Sequence, residues 1–318
     1  MRMVDPDSFD LVDQLSGIYD EPYGDSSAMP TYRVCALARE HVTVALSGDG
    51  GDELFAGYRR YLFHQREERL RAMVPAAIRA PLFGALAAIY PKMDWAPQFL
   101  RAKNTFQELA MDSAGSFFHS VAMINDTIRD RLFSASFKQS LGGYHASDVV
   151  RGHMAAANTD NPLLQAQYTD FKTWLPGDIL VKVDRASMAN SLEVRAPLLD
   201  HAFVEWGARL KGDFRLNGAE GKHILKKAFE PLVPHHLLYR PKQGFSVPLS
   251  AWFRGPLKDR VRDAVTGPVL SDSGIFDTAY LKRLVDQHQS GLRDHGTVLW
   301  VLLMFEAFLR RDAGMGRA

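Results

Sequence analysis

The stretch HVTVALSGDGGDELFAGYRRY, residues 41–61, decides how the rest of the chain is read. Val42, Val44, Ala45 and Leu46 form a short apolar run of the kind a parallel sheet buries. Ser47-Gly48-Asp49-Gly50-Gly51 breaks that run. Three glycines in five residues allow the positive φ values and close approach that a ligand-contacting turn needs. Asp52 and Glu53 then open a helix, where acidic side chains meet unpaired N–H groups. Asp49, Asp52 and Glu53 therefore place three carboxylates within five residues at the carboxyl end of a strand. That is the edge at which open α/β sheets hold their ligands. A glycine-rich turn ahead of a helix usually cradles phosphate. Here the carboxylates argue against bare phosphate and suit phosphates carried on Mg²⁺, or an amine. The plainer reading is a helix start capped by its own acids. It accounts for Asp52 and Glu53 but leaves Ser47 and Asp49 idle.

Working outward, residues 8–18 have a helical apolar period, with Asp7 or Ser8 as N-cap. Residues 19–30, YDEPYGDSSAMP, read as a polar loop, and 31–40 as a helix leading into the strand. Only one strand is clear in this region. A lone parallel-type strand cannot make a sheet, and no later segment obviously supplies its neighbours. From about 61 to 160 the pattern is helical, including 76–89, with breaks at Pro75, Pro81, Pro91 and Pro97. Helices are expected at 165–174 and 179–189, separated by Leu175-Pro176-Gly177, and again at 198–210 and 222–229. A loop at 240–252 precedes helices at 256–265, 278–290 and 297–311.

The totals narrow the class. The chain has 318 residues, a net charge of +1 and an ordinary globular composition of 46% hydrophobic and 24% charged residues. No overall field points to nucleic acid or a membrane surface. The apolar segment 298–309 is too short for a membrane span and contains Glu306. The single cysteine, Cys35, excludes an internal disulfide and fits a reducing compartment. With no leader-like apolar segment at the start, a cytoplasmic location is expected. His235-His236 has no partner ligands nearby, and no Cys/His cluster has zinc spacing.

Three further stretches carry charge in patterns that suit chemistry. In LPGDILVKVDRASMANSLEVRAPLLD, residues 175–200, Asp178, Lys182 and Arg185 share one helix face, and Asp184 lies off it. Glu193, Arg195 and Asp200 follow. A solvated salt-bridge face is the plain alternative. In GKHILKKAF, residues 221–229, Lys222 stands at a helix start, where a lysine adds to the pull on a phosphate group, although a solvated basic face shared with Lys226 is the plainer reading. In RPKQGF, residues 240–245, Arg240 and Lys242 could reach an anion, although a surface loop is the default.

Together these motifs resemble the synthetase domain of the glutamine-dependent asparagine synthetase family. The resemblance rests on LSGDGGDELFAGY at 46–58, DRASM at 184–188, LEVRAPLLD at 192–200, KHILK at 222–226 and RPKQGF at 240–245. DEPYGDSS at 20–27 also matches the segment ahead of the acidic loop. The resemblance implies an α/β fold: part of an ATP-pyrophosphatase-type (adenine nucleotide alpha hydrolase-like) layer in residues 1–64, with the helical remainder of the same domain in 65–318. It implies a ligase that uses ATP and Mg²⁺ to amidate aspartate with ammonia drawn from glutamine, through an aspartyl-adenylate. It assigns Lys222 to the phosphates. It makes Asp49, then Asp52, the group that receives ammonia, with Asp178 and Asp184 in second rank. Ser47, Gly48, Gly50, Glu53, Asp25, Ser26 and Arg195 would line substrate or nucleotide; the metal ligands are left open, with Asp52 a candidate for Mg²⁺.

The departures matter equally. The family starts with a glutaminase domain whose nucleophile is an N-terminal cysteine, and Cys35 does not match it. The family also carries an S-G-G-x-D-S pyrophosphate loop upstream of the acidic loop, and no such motif occurs here. The expectation is a synthetase piece without its glutaminase domain and with incomplete ATP binding. A separate chain would supply the rest, or exposed apolar surface would drive self-association. The alternatives are amidation of another carboxylate, such as a saccharide precursor, and a non-catalytic truncated or split module.

Overall fold

The computed structural model describes residues 10–90, 102–240 and 247–315, with side chains to residue 312. The proposed cap at Asp7 or Ser8, the breaks at Pro91 and Pro97, and Lys242 lie outside them.

Strand β1 (Val44–Leu46) pairs in parallel with β2 (Glu193–Arg195), with Val44 opposite Glu193 and Leu46 opposite Arg195. The ladder runs on at both ends. Glu193 N–H donates to the Thr43 carbonyl at 3.0 Å, and Ser47 N–H to the Arg195 carbonyl at 2.8 Å. This corrects the expectation that the chain supplies no neighbour for the strand. The second strand is hidden because Glu-Val-Arg contains one apolar residue. It needs only one, since a single face of the ribbon is buried. On that face Ala45 and Val194 pack against Cys35, Ala186 and Leu192. On the other, Val44 and Leu46 are 41% and 74% exposed.

The helices beneath the ribbon are Ala28–Arg39 and Val181–Ala189. The first begins three residues earlier than its pattern predicts, because Pro30 falls in the opening turn, where its missing N–H is not needed. The second is preceded by a π-helical segment, Leu175–Leu180. The Leu175-Pro176-Gly177 break is therefore a widened helical turn rather than a loop, a form often found near functional sites. The predicted helix 198–210 resolves into a tight turn, Pro197–Leu199, and a helix, His201–Ala208. Asp200 caps that helix by accepting from Phe203 N–H at 3.1 Å. A hairpin of β3 (Leu216–Asn217) and β4 (Glu220–Gly221) delivers Lys222.

The largest core joins the two ends of the chain. Leu11, Val12 and Leu15 of helix Asp10–Tyr19 share it with Trp252, Phe253 and Trp300 of the C-terminal helices. A second core holds Ala56, Tyr61, Phe117, Leu163 and Leu216, and so ties the acidic-loop turn to the hairpin. Among the described residues no helix is long and apolar enough to cross a membrane.

Candidate active site

The acidic loop leaves β1 and turns on Gly50, whose φ of +82° is the left-handed region that favours glycine. A side chain there would also run into Leu199, which the turn after β2 presses against the loop. The strand pairing thus fixes the loop twice: through the Ser47–Arg195 backbone bond, and through the leucines that follow β2. Ser47 Oγ is buried with no hydrogen-bond partner among the described residues. Gly48 is open to solvent, and Asp49 is half-buried. The Cys35 thiol is pushed up by its burial and by the nearby Asp49 carboxylate.

Asp52 lies in the short helix Gly51–Leu54 and meets Lys222, with Nζ 3.1 Å from Oδ1. Both side chains are part-exposed, at 23% and 29%. Lys222 is held in an unusual way. Its φ of +58° puts a non-glycine residue in the left-handed region, at a cost of about 1–2 kcal/mol. Its N–H donates to the Phe55 carbonyl at 2.7 Å. Gly57 leaves the space the pair occupies, since a Cβ there would collide with the Asp52 carboxylate and the end of the Lys222 side chain. Backbone strain and a missing side chain therefore serve one arrangement, a cation and a carboxylate beside the acidic loop.

The structure separates the other expected site residues from this pair. Glu53 is 1% exposed and turns inward, where Tyr58 donates to its carboxylate at 2.6 Å. Burial raises its pKa against the effect of that bond. Arg195 lies on the exposed face of β2, its Nε 2.7 Å from Glu193 Oε1. Asp184 is exposed, and Ser26 is half-buried in the turn before the Ala28–Arg39 helix.

Asp25 and Asp178 gather instead around Lys182, which is 8% exposed. Lys182 Nζ stands 2.7 Å from Asp25 Oδ2 and 3.7 Å from Asp178 Oδ2. Ser27 Oγ donates to Asp25 at 2.5 Å, and Tyr23 Oη to Asp178 at 2.7 Å. Burial works against the Asp25 charge, but Lys182 and the Ser27 bonds hold its pKa below the usual carboxylate range. Burial keeps the Asp178 pKa raised despite Lys182. With these partners, Asp25 and Asp178 form an internal charge cluster that joins the polar loop to the π-helical turn. The i, i+4 spacing of Asp178 and Lys182 was legible in the sequence; their partners on the loop were not.

Among the described residues no group of three His, Cys, Asp or Glu side chains is gathered as a metal cage. Mg²⁺ ordinarily takes only one or two carboxylates, its other ligands being water and substrate phosphates. Asp49, Asp52 and the orphaned Ser47 hydroxyl fit that smaller donor set. A cavity of ≈ 490 Å³ opens elsewhere, among the charged side chains of Asp13, Arg260, Glu306 and Arg310, and shares no residue with the loop.

A parallel strand pair ending in an acidic glycine loop is set against a mostly helical body, and the adenine nucleotide alpha hydrolase-like fold follows from the family to which the chain belongs. The asparagine synthase family matches residues 1–310, and the chain belongs to that family. It is 33% identical over 292 residues to a putative glutamine-hydrolyzing asparagine synthetase of Mycobacterium tuberculosis, covering 90% of this chain and 42% of that protein. It is 29% identical over 294 residues to glutamine-hydrolyzing asparagine synthetase 1 of Bacillus subtilis, covering 90% and 43%. It is 24% identical over 307 residues to an amidase of Penicillium rubens, covering 88% and 44%. The chain thus spans less than half the length of these relatives.

Proposed function

We propose that the chain is the synthetase part of an ATP-dependent carbon–nitrogen ligase that converts aspartate to asparagine. The observation that carries the reading is the Asp52–Lys222 pair, held by strained backbone beside Ser47-Gly48-Asp49. The side-chain carboxylate of aspartate attacks the α-phosphorus of ATP, and pyrophosphate leaves. Lys222 meets the negative charge that builds on the departing pyrophosphate. Ammonia then attacks the acyl carbon of the adenylate, and AMP leaves with the bonding pair. Asp49 takes the proton that the nitrogen loses. Mg²⁺ entering with the nucleotide would draw its protein oxygen from Asp52 and would neutralise phosphate charge. Ser47 Oγ is available to hydrogen-bond substrate or nucleotide.

The ribbon of β1 and β2 supports a second element of the proposal. Parallel strands are ordinarily covered on both faces, yet Val44 and Leu46 stand exposed. The relatives' length beyond the match is the natural source of that cover and of further phosphate contacts, on the same polypeptide or on a separate chain. The test is pyrophosphate release from ATP, with aspartate and ammonia, by the chain alone and with that portion added. Release in neither case defeats the catalytic reading and leaves a binding module. One relative is named an amidase, so the variant in which the same chemistry amidates a different carboxylate stays beside the main reading. Release that ignores aspartate but responds to another carboxylate would select it.

A further inference from the structure

The Gly51–Leu54 helix is only one turn long, so its end must find partners for carbonyls that no further turn can satisfy. Those partners can be traced one by one. The Gly51 carbonyl accepts from Phe55 N–H at 3.2 Å, and the Asp52 carbonyl from Gly57 N–H at 2.8 Å. The Phe55 carbonyl accepts from Lys222 N–H at 2.7 Å. The two carbonyls between, of Glu53 and Leu54, are both taken by one side-chain nitrogen, Gln167 Nε2, the Leu54 bond measuring 3.1 Å.

Gln167 is 2% exposed and is itself held in place. Its Oε1 accepts from Arg215 Nη1 at 2.9 Å. Arg215, 4% exposed, directs Nη2 to the carbonyls of Gly207 and Ala208 at 2.8 Å, at the end of helix His201–Ala208, and of Leu210 at 3.1 Å, just beyond it. Arg215 immediately precedes β3, the strand whose hairpin carries Lys222. Gln167 thus holds the backbone just after Asp52, and its own partner stands directly before the hairpin that presents Lys222.

We infer that Gln167, oriented by Arg215, is a positioning residue that sets the distance between Asp52 and Lys222. It touches neither side chain and acts through the backbone of both. The inference rests on the proposed role of that pair in catalysis, but its geometric part can be read without turnover.

The test uses the full chain with its lysines labelled as ¹³C-dimethyl amines, the Lys222 signal being assigned by its loss in Lys222→Arg. The chemical shift of that signal in Asp52→Asn, read at one fixed pH, defines a Lys222 without its carboxylate. Gln167→Glu keeps an acceptor for Arg215 and replaces only the donor that faces the two carbonyls. Gln167→Leu removes both functions. The expected result is a Lys222 chemical shift in each variant displaced from the wild-type position toward that of Asp52→Asn, while cooperative unfolding is retained. Where release is measurable, kcat falls on the order of a hundredfold with KM little changed. A wild-type Lys222 chemical shift in Gln167→Glu overturns the inference, as does a lowered melting temperature with that signal unmoved, which marks a structural role only. A moved signal in a protein that never releases pyrophosphate keeps the positioning role and defeats the proposed function.

Discussion

Lys222 Nζ lies 3.1 Å from Asp52 Oδ1, and Lys222 holds that position on a left-handed backbone that suits glycine better than lysine. Stability and chemistry therefore pull in opposite directions at this residue. Lys222→Gly should leave the fold as stable as wild type or up to about 1 kcal/mol more stable, since relief of strain offsets the loss of a part-exposed ion pair. The same change should cut pyrophosphate release by roughly a hundredfold or more. Urea unfolding and a release assay on one preparation check both halves. A stable variant with undiminished release would remove Lys222 from the chemistry.

Gly57 gives the complementary prediction. Gly57→Ala pushes a methyl group into the Asp52 carboxylate and the Lys222 stem. It should cost about 1–3 kcal/mol and lower release even though neither charged residue has changed. Chemical denaturation of the variant, with turnover measured beside it, decides the matter. An unaltered midpoint would mean that the pair has room to move aside.

The Asp25–Lys182–Asp178 cluster is a stability device in this account. Lys182→Met leaves two part-buried carboxylates without their cation and should destabilise by about 2–4 kcal/mol, below the penalty at a fully buried pair. Adding Asp25→Asn removes one of those charges and should recover part of the loss. If the double variant unfolds as readily as Lys182→Met, repulsion between unpaired carboxylates is not the cause.

Helix Arg59–Met73 carries two buried groups whose protonation opposes one another. Burial pushes the Glu67 carboxyl up to about 7, with Glu108 adding to the rise and Ser116 and Arg71 opposing it. Between about pH 4.5 and 7 the native state binds more protons there than the unfolded chain, so this contribution to stability falls as pH rises. Burial brings His64 down to about 4. From about pH 4 to 6.5 the unfolded chain binds more protons there, so the His64 contribution rises with pH. Each spans no more than about 3 kcal/mol, and the two largely cancel. Glu67→Gln should expose the His64 slope, with stability rising from pH 4 to 6.5, whereas His64→Leu should expose the reverse slope up to pH 7. Melting curves at half-unit pH steps read the sign directly. Identical pH profiles in all three proteins would contradict it.

The acidic loop was legible because its chemistry is local: glycine for the turn, carboxylates after a strand. Lys222 could be marked out only by its place at a helix start, with Lys226 and Lys227 following it. Neither signal carried the partner. β2 has one inward residue, Val194, so no alternation marked it, and it is a strand only because β1 lies beside it. Glu53 looked like a third site carboxylate until Tyr58 claimed it from the next turn of chain. Asp25 looked like a substrate ligand until Lys182 arrived from a distant helix. Gln167 carried no signal at all, because a glutamine in mid-helix gains its role only from the carbonyls that folding places against it.

The most direct measurement is pyrophosphate release from ATP by the chain together with the portion of its relatives that lies beyond the match. The expected result is release that requires aspartate and ammonia and is lost in Asp49→Ala and Lys222→Ala. No release, or wild-type rates in both variants, would contradict it.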